Sequence, residues 1–256
     1  MTTRSAWATI VVTLALAAMA RGEGTSADFR FARYGSYYTF PADSPSAGEA
    51  RVWVPDAGGP LRGAVVLDDR PKERADLLHF RNAARAMGFA LISSHTSFGG
   101  LLPEKTRQTV DSMMSAAAAA SGRPELATAP LAIMGFSGGG YDAEEVGTRY
   151  PSRTLAFVAH RAYADPYGLT DPNTFPHNPA QSGWQHVPGL YIAGASDNNQ
   201  RPSGVFDTVI RNRTSAAYDS YREMGGRAAM GVLPGYGHSD ESGDTPPSAG
   251  YEMAFY

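Results

Sequence analysis

Pro130-Leu131-Ala132-Ile133-Met134-Gly135-Phe136-Ser137-Gly138-Gly139-Gly140 is the stretch on which the fold turns. Leu131 to Met134 is a short continuous apolar run, the pattern of a strand buried on both faces. Gly140 to Tyr150 reads as a helix, and Pro151 stops it. Between strand and helix stands Gly135-Phe136-Ser137-Gly138-Gly139, a G-x-S-x-G pattern. The flanking glycines fit a strand-to-helix turn too tight for a Cβ atom two residues to either side of the serine. A serine hydroxyl is a poor nucleophile at neutral pH. It attacks a carbonyl only from an exposed, sharply turned backbone beside a base. The setting therefore predicts a nucleophile at Ser137 rather than an idle serine in a Gly-rich turn.

The same alternation extends in both directions. Gly35 to Pro41 and Ala50 to Pro55 carry the β-formers Tyr37, Tyr38, Phe40, Val52, Trp53 and Val54. Ala64 to Leu67 and Phe89 to Ile92 are further apolar runs. Between them Glu73 to Met87 repeats Leu77, Phe80, Ala84 and Met87 at helical spacing, and Gly88 is placed to end the helix. Pro103 opens a helix that runs through the alanines to Ser121. Thr154 to Ala159, Gly189 to Ala193 and Arg227 to Leu233 are expected strands, and Val205 to Gly225 is an expected helix. Strands alternating with helices of this length predict an α/β domain: a mostly parallel sheet of about eight strands with helices on both faces. One stretch departs from the pattern. Residues 163–188 are rich in Pro, Asn, Gly and aromatics, and read as an insertion near the functional edge.

Composition narrows the classes. The 256 residues suffice for one large domain. The net charge of −3 points to neither nucleic acid nor an anionic membrane. Without cysteine, disulfides and thiolate metal sites are excluded. The acidic Asp240, Glu241 and Asp244 lack EF-hand spacing, so no metal is expected. Residues 1–20 have a positive start at Arg4, an apolar run from Ala6 to Leu16 and an Ala18-Met19-Ala20 cleavage signal. That is the pattern of a signal peptide, too short for a membrane span, and it predicts a secreted or periplasmic protein with one domain over residues 21–256 and no stable membrane insertion after cleavage. Asn212-Arg213-Thr214 is a glycosylation sequon set in a predicted helix, which is not the surface loop that modification needs.

A nucleophilic serine needs a base. His238 lies in Gly235-Tyr236-Gly237-His238-Ser239, just past the last expected strand, where a tight loop lets an imidazole reach over the sheet edge. His79 falls in a helix, and His177 and His186 in the insertion. The base in turn needs a carboxylate to orient it. Asp197 follows an apolar strand directly, at the end where open α/β sheets build their sites. Asp165, after the preceding strand, is the rival, and Asp240 is too near His238 in sequence. The order Ser137, Asp197, His238 is nucleophile, acid, histidine.

With these residues in place, the chain resembles the secreted α/β-hydrolases, and among them the small bacterial esterases of the polyhydroxybutyrate-depolymerase, feruloyl-esterase and dienelactone-hydrolase-like group. The resemblance covers about Arg51 to His238. It is carried by Gly135 to Gly139, by Ala193-Gly194-Ala195-Ser196-Asp197 and by Gly235-Tyr236-Gly237-His238. It implies the α/β-hydrolase fold, a Ser-His-Asp triad, no cofactor, and an ester substrate that is a small molecule or polymer-linked. It also implies an oxyanion hole made by the backbone N–H of Gly138 and a second donor from the loop after Leu67. That loop reads Asp68-Asp69-Arg70-Pro71 where many relatives carry His-Gly or Gly-Gly. Pro71 has no N–H, which leaves Asp69 or Arg70 as donor, with two carboxylates close by. The two aspartates serve equally well as caps for the following helix.

His95 and His160 end strands on the same sheet edge and are candidates to line the substrate site. Tyr163 and Trp184, with Tyr167 and Phe175, are candidates for a pocket wall, and core packing of the insertion is the other account of them. Two other functional classes remain open. A serine peptidase or amidase would use the same triad, though few residues are left for a specificity domain. A binding protein built on an inactive hydrolase fold draws its support from the Asp68-Asp69 loop.

Overall fold

The structure is a computed structural model, and it describes residues 35–41, 49–56, 58–68, 78–94, 98, 103–160, 182–194, 209–233 and 254–255. The segments with the signal peptide, Asp69, Arg70, His95, Tyr163, Asp197 and His238 lie outside the described residues. No described helix is long and apolar enough to cross a membrane.

The apolar runs pair into one nine-stranded sheet. Its strands are β1 (Gly35–Pro41), β2 (Glu49–Pro55), β3 (Gly63–Asp68), β4 (Phe89–Ser94), β5 (Leu131–Phe136), β6 (Thr154–His160), β7 (Gly189–Gly194), β8 (Ala228–Leu233) and β9 (Ala254–Phe255). Their spatial order is β1-β2-β4-β3-β5-β6-β7-β8-β9. Strands β3 to β8 are mutually parallel, whereas β1, β2 and β9 pair antiparallel at the two flanks. The central strands β4 and β7 are buried at every residue, which is why their sequences show no alternation. β9 goes beyond the eight strands expected. Two residues are too short to carry a pattern, and the strand forms by pairing with Gly231 and Val232 of β8.

Among the described residues four helices cover the sheet: α1 (Leu78–Met87), α2 (Pro103–Ser121), α3 (Gly138–Arg149) and α4 (Val209–Glu223). On α1, Phe80, Ala84 and Met87 are buried against Leu67, Leu91, Met134 and Val158, as their spacing predicts. Gly88 ends this helix with φ +70°, a conformation that costs glycine nothing. The other face is the larger core. Val110, Met113, Met114 and Ala117 of α2, Ala143 and Val146 of α3, and Ala217 and Tyr221 of α4 pack there with Val66, Ile133, Phe157 and Tyr191 of the sheet. Helix α3 starts two residues earlier than the sequence suggests. Gly138 and Gly139 are poor helix formers, and the turn before them imposes the onset instead. Thr214 of the sequon is fully buried within α4. A 3-10 turn at Pro124–Ala127, unforeseen in the sequence, links α2 to β5.

Candidate active site

Ser137 stands at the junction of β5 and α3 with φ 57° and ψ −118°. It is the one non-glycine residue with positive φ among the described residues. An L residue there is strained by roughly 1–3 kcal/mol. Two backbone bonds hold the strain in place. The Ser137 N–H donates to the His160 carbonyl at 2.9 Å, and the Gly140 N–H donates to the Ser137 carbonyl at 3.1 Å. The β5–β6 register, which runs as far as Phe136 opposite His160, brings that carbonyl into reach.

The turn is as tight as the sequence predicts on the strand side. A Cβ at Gly135 would lie 1.8 Å from the carbonyl oxygen of Gly139, so no side chain fits. Gly138, the residue next to the serine, is exposed, and a Cβ there would meet nothing within 4 Å. Its N–H is among those an α-helix leaves without an intrahelical acceptor, and it lies at the positive end of the helix dipole. No acidic residue occupies the first turn of α3 itself to oppose that potential.

The other edge positions follow from topology. Asp68 of β3 lies opposite Gly135 of β5, Gly135 opposite Ala159 of β6, and Gly194 of β7 opposite Leu233 of β8. The parallel strands thus end on one edge. β3 ends just before Asp69, β4 just before His95, β7 three residues before Asp197, and β8 five residues before His238. His160 and Trp184 are described. His160 is 1% exposed, with its ring edge-to-face against Phe136 at 5.4 Å, and its backbone carbonyl holds the turn at Ser137. Trp184, in a 3-10 turn at Trp184–His186, is 4% exposed and packs on Tyr221 at 5.0 Å. Its ring belongs to the core and forms no open wall.

The residues that sequence reasoning passed over are three acids on α3. Asp142 is buried and accepts the Phe98 N–H at 3.1 Å, which ties the segment after β4 to the serine's helix. Glu144 accepts the Tyr191 hydroxyl at 2.8 Å, with both residues buried. Glu145 pairs with Arg149 one turn on, at 2.5 Å. Burial pushes the Glu144 carboxyl up to about 8, with the Tyr191 bond opposing and Glu145 adding to the rise. Burial likewise raises Glu145 to about 7 against the pull of Arg149. Tyr191 is raised well above its ordinary value by burial and then by Glu144. The available signal was their position: a helix wedged between the sheet and α2 hides even its polar residues.

No protein-family model matches the chain, and a search of curated proteins finds no match. Solved structures do resemble it. One described as an arylesterase is 12% identical with a TM-score of 0.53, over 94% of this chain and 93% of that one. Dipeptidyl peptidase 4 of Porphyromonas gingivalis is 16% identical with a TM-score of 0.51, over 83% of this chain and 34% of that one. An esterase of Pyrobaculum calidifontis is 14% identical at a TM-score of 0.49, over 93% and 84%. Identities this low speak for the fold. With the mostly parallel sheet and its flanking helices, the chain has the α/β-hydrolase fold.

Proposed function

We propose that this chain is an exported serine hydrolase that cleaves carboxylic esters through an acyl-enzyme. The observation that carries the reading is the strained backbone of Ser137, at φ 57° and ψ −118° on the turn between β5 and α3. Strain of this kind persists where function requires it and the surroundings over-determine it. The likeness to an arylesterase adds fold-level support. In the mechanism, Ser137 Oγ attacks the ester carbonyl while His238 takes its proton. Asp197 holds the imidazole tautomer and stabilises the imidazolium. The Gly138 N–H, with a second donor from Asp69 or Arg70, receives the oxyanion at the positive end of α3. The alcohol leaves with the proton from His238. A water that gives its proton to His238 then attacks the acyl-enzyme, and Ser137 recovers its hydrogen as the acid departs. This chemistry needs no metal or cofactor. Residues 1–20 direct export and are removed.

The test is labelling and turnover together. A fluorophosphonate should label the wild type and leave Ser137→Ala unlabelled. A panel of short-chain, aryl-cinnamoyl, acetylated-sugar and polyester substrates should then show Ser137-dependent hydrolysis. Faster cleavage of matched anilides or peptides than of esters would move the reading to a peptidase or amidase. A wild type that neither labels nor hydrolyses any of them would leave an inactive fold used for binding.

A further inference from the structure

Ser137 stands directly before α3, but the strand that leads to the proposed orienting acid is not the neighbour of β5. β6 lies between β5 and β7. Acyl transfer therefore needs two elements that do not pair to keep a set separation. Two turns into α3, Glu144 is 1% exposed, and its Oε1 accepts the hydroxyl of Tyr191, fully buried within β7, at 2.8 Å. The bond joins residues 47 apart, one on α3 and one on β7, with β6 between β5 and β7. Phe157 of β6 lies beneath it, edge-to-face with Tyr191 at 5.6 Å. Gly147 of α3 and Gly189 of β7 make room for that ring, since a Cβ at either would stand 2.6 or 2.4 Å from it.

The acyl-transfer chemistry uses neither Glu144 nor Tyr191. Burying a carboxyl here is unfavourable, and an apolar side chain of similar volume would fill the place without that cost. Stability alone does not account for the pair. Apolar packing of a helix on a sheet tolerates small slides, whereas a buried hydrogen bond weakens steeply with distance and angle. We propose that Glu144 and Tyr191 are positioning residues whose hydrogen bond braces α3 against β7 across β6, holding Ser137 in register with the acid that follows β7. The inference rests on the serine-hydrolase reading. Its physical basis is that reacting groups lose rate quickly as they are displaced, by about a hundredfold for 1 Å.

Three variants test it, each compared with the wild type well below its melting temperature. Tyr191→Phe keeps the ring and removes the donor. Glu144→Leu removes the acceptor and the buried carboxyl together. Glu144→Gln keeps an acceptor oxygen. Tyr191→Phe and Glu144→Leu should each lower kcat about tenfold with KM little changed, and slow fluorophosphonate labelling of Ser137 in parallel. Glu144→Gln should retain the wild-type kcat. Glu144→Leu is the decisive arm, because it should lose kcat even if it melts at or above the wild type. Wild-type kcat in both Tyr191→Phe and Glu144→Leu overturns the brace alone, as does a loss of kcat in Glu144→Gln equal to that in Glu144→Leu. A wild type that neither labels nor turns over esters overturns the underlying reading and the brace together.

Discussion

The two edges of the parallel sheet are built in opposite ways. At the edge where strands begin, every positive φ among the described residues falls on glycine: Gly59, Gly88, Gly122, Gly183 and Gly225 lie ahead of β3, β4, β5, β7 and β8. Two clusters of polar groups there are well paired. The Arg153 guanidinium donates to the carbonyls of Ala129, Leu126 and Ala127 and pairs with Asp111, which also accepts the Tyr150 hydroxyl. Glu125 accepts the Leu61 N–H at 3.0 Å and Arg123 at 2.8 Å, and the Leu61 bond above all holds its carboxyl below the usual range. At the edge where strands end, a serine sits where glycine belongs. One edge minimises free energy, and the other retains strain beside exposed donors. That contrast agrees with the proposed site at the second edge, the end of the strands where open α/β sheets carry their sites.

The sharpest break in the contrast is Gly135→Ala. Its methyl would meet the Gly139 carbonyl at 1.8 Å, so the turn must open. Loss of fluorophosphonate labelling and a destabilisation of about 3 kcal/mol or more are expected in urea titrations. A folded, fully labelled variant would show that the turn is not needed.

Arg153→Met probes the other edge. It should cost about 2–3 kcal/mol in the same titration, chiefly from the hydrogen bonds lost at the Ala127 and Ala129 carbonyls, because Asp111 is half exposed and its ion pair is screened. Its kcat/KM below the melting transition should match the wild type. A large loss of kcat would mean that the two edges are not separable.

The buried acids of α3 set a pH dependence. Glu144 and Glu145, raised from 4.5 to about 8 and about 7, hold protons more tightly folded than unfolded. The stability they contribute is whole below about 4.5 and is lost as pH climbs through 7 and then 8. The melting temperature should fall between pH 5.5 and 8.5 by more in the wild type than in Glu144→Gln. Parallel profiles for the two proteins would contradict a protonated Glu144.

The smallest effect separates strain from chemistry. Ser137→Gly and Ser137→Ala should both be inactive, but the glycine variant should be more stable by about 1 kcal/mol because only glycine relaxes at this φ. Equal stabilities would show that the turn stores no strain.

Much of the fold was legible in advance because its signals are local. The boundaries of β1 and α2 are those expected, since Pro, Gly and β-branched or aromatic runs act within a few residues. The need for glycine at Gly135 was legible for the same reason. His160 was expected just after a strand and Trp184 in an irregular stretch; the first closes β6, the second opens a 3-10 turn, and both rings are buried. A sequence shows that a residue ends a strand, but not what covers it. Asp142, Glu144 and Glu145 escaped notice because acids in a helix ordinarily mark its wet face.

From sequence alone came the alternation of strand and helix, the serine at the turn between them, and the glycines that let that turn close. These rest on steric preferences between near neighbours, which any fold must obey. Tertiary structure alone decided the strand order, the carbonyl of His160 that holds Ser137 in its strained conformation, and the burial that joins Glu144 to Tyr191. Those depend on which distant segments meet, and burial and long-range hydrogen bonds exist only once they have met.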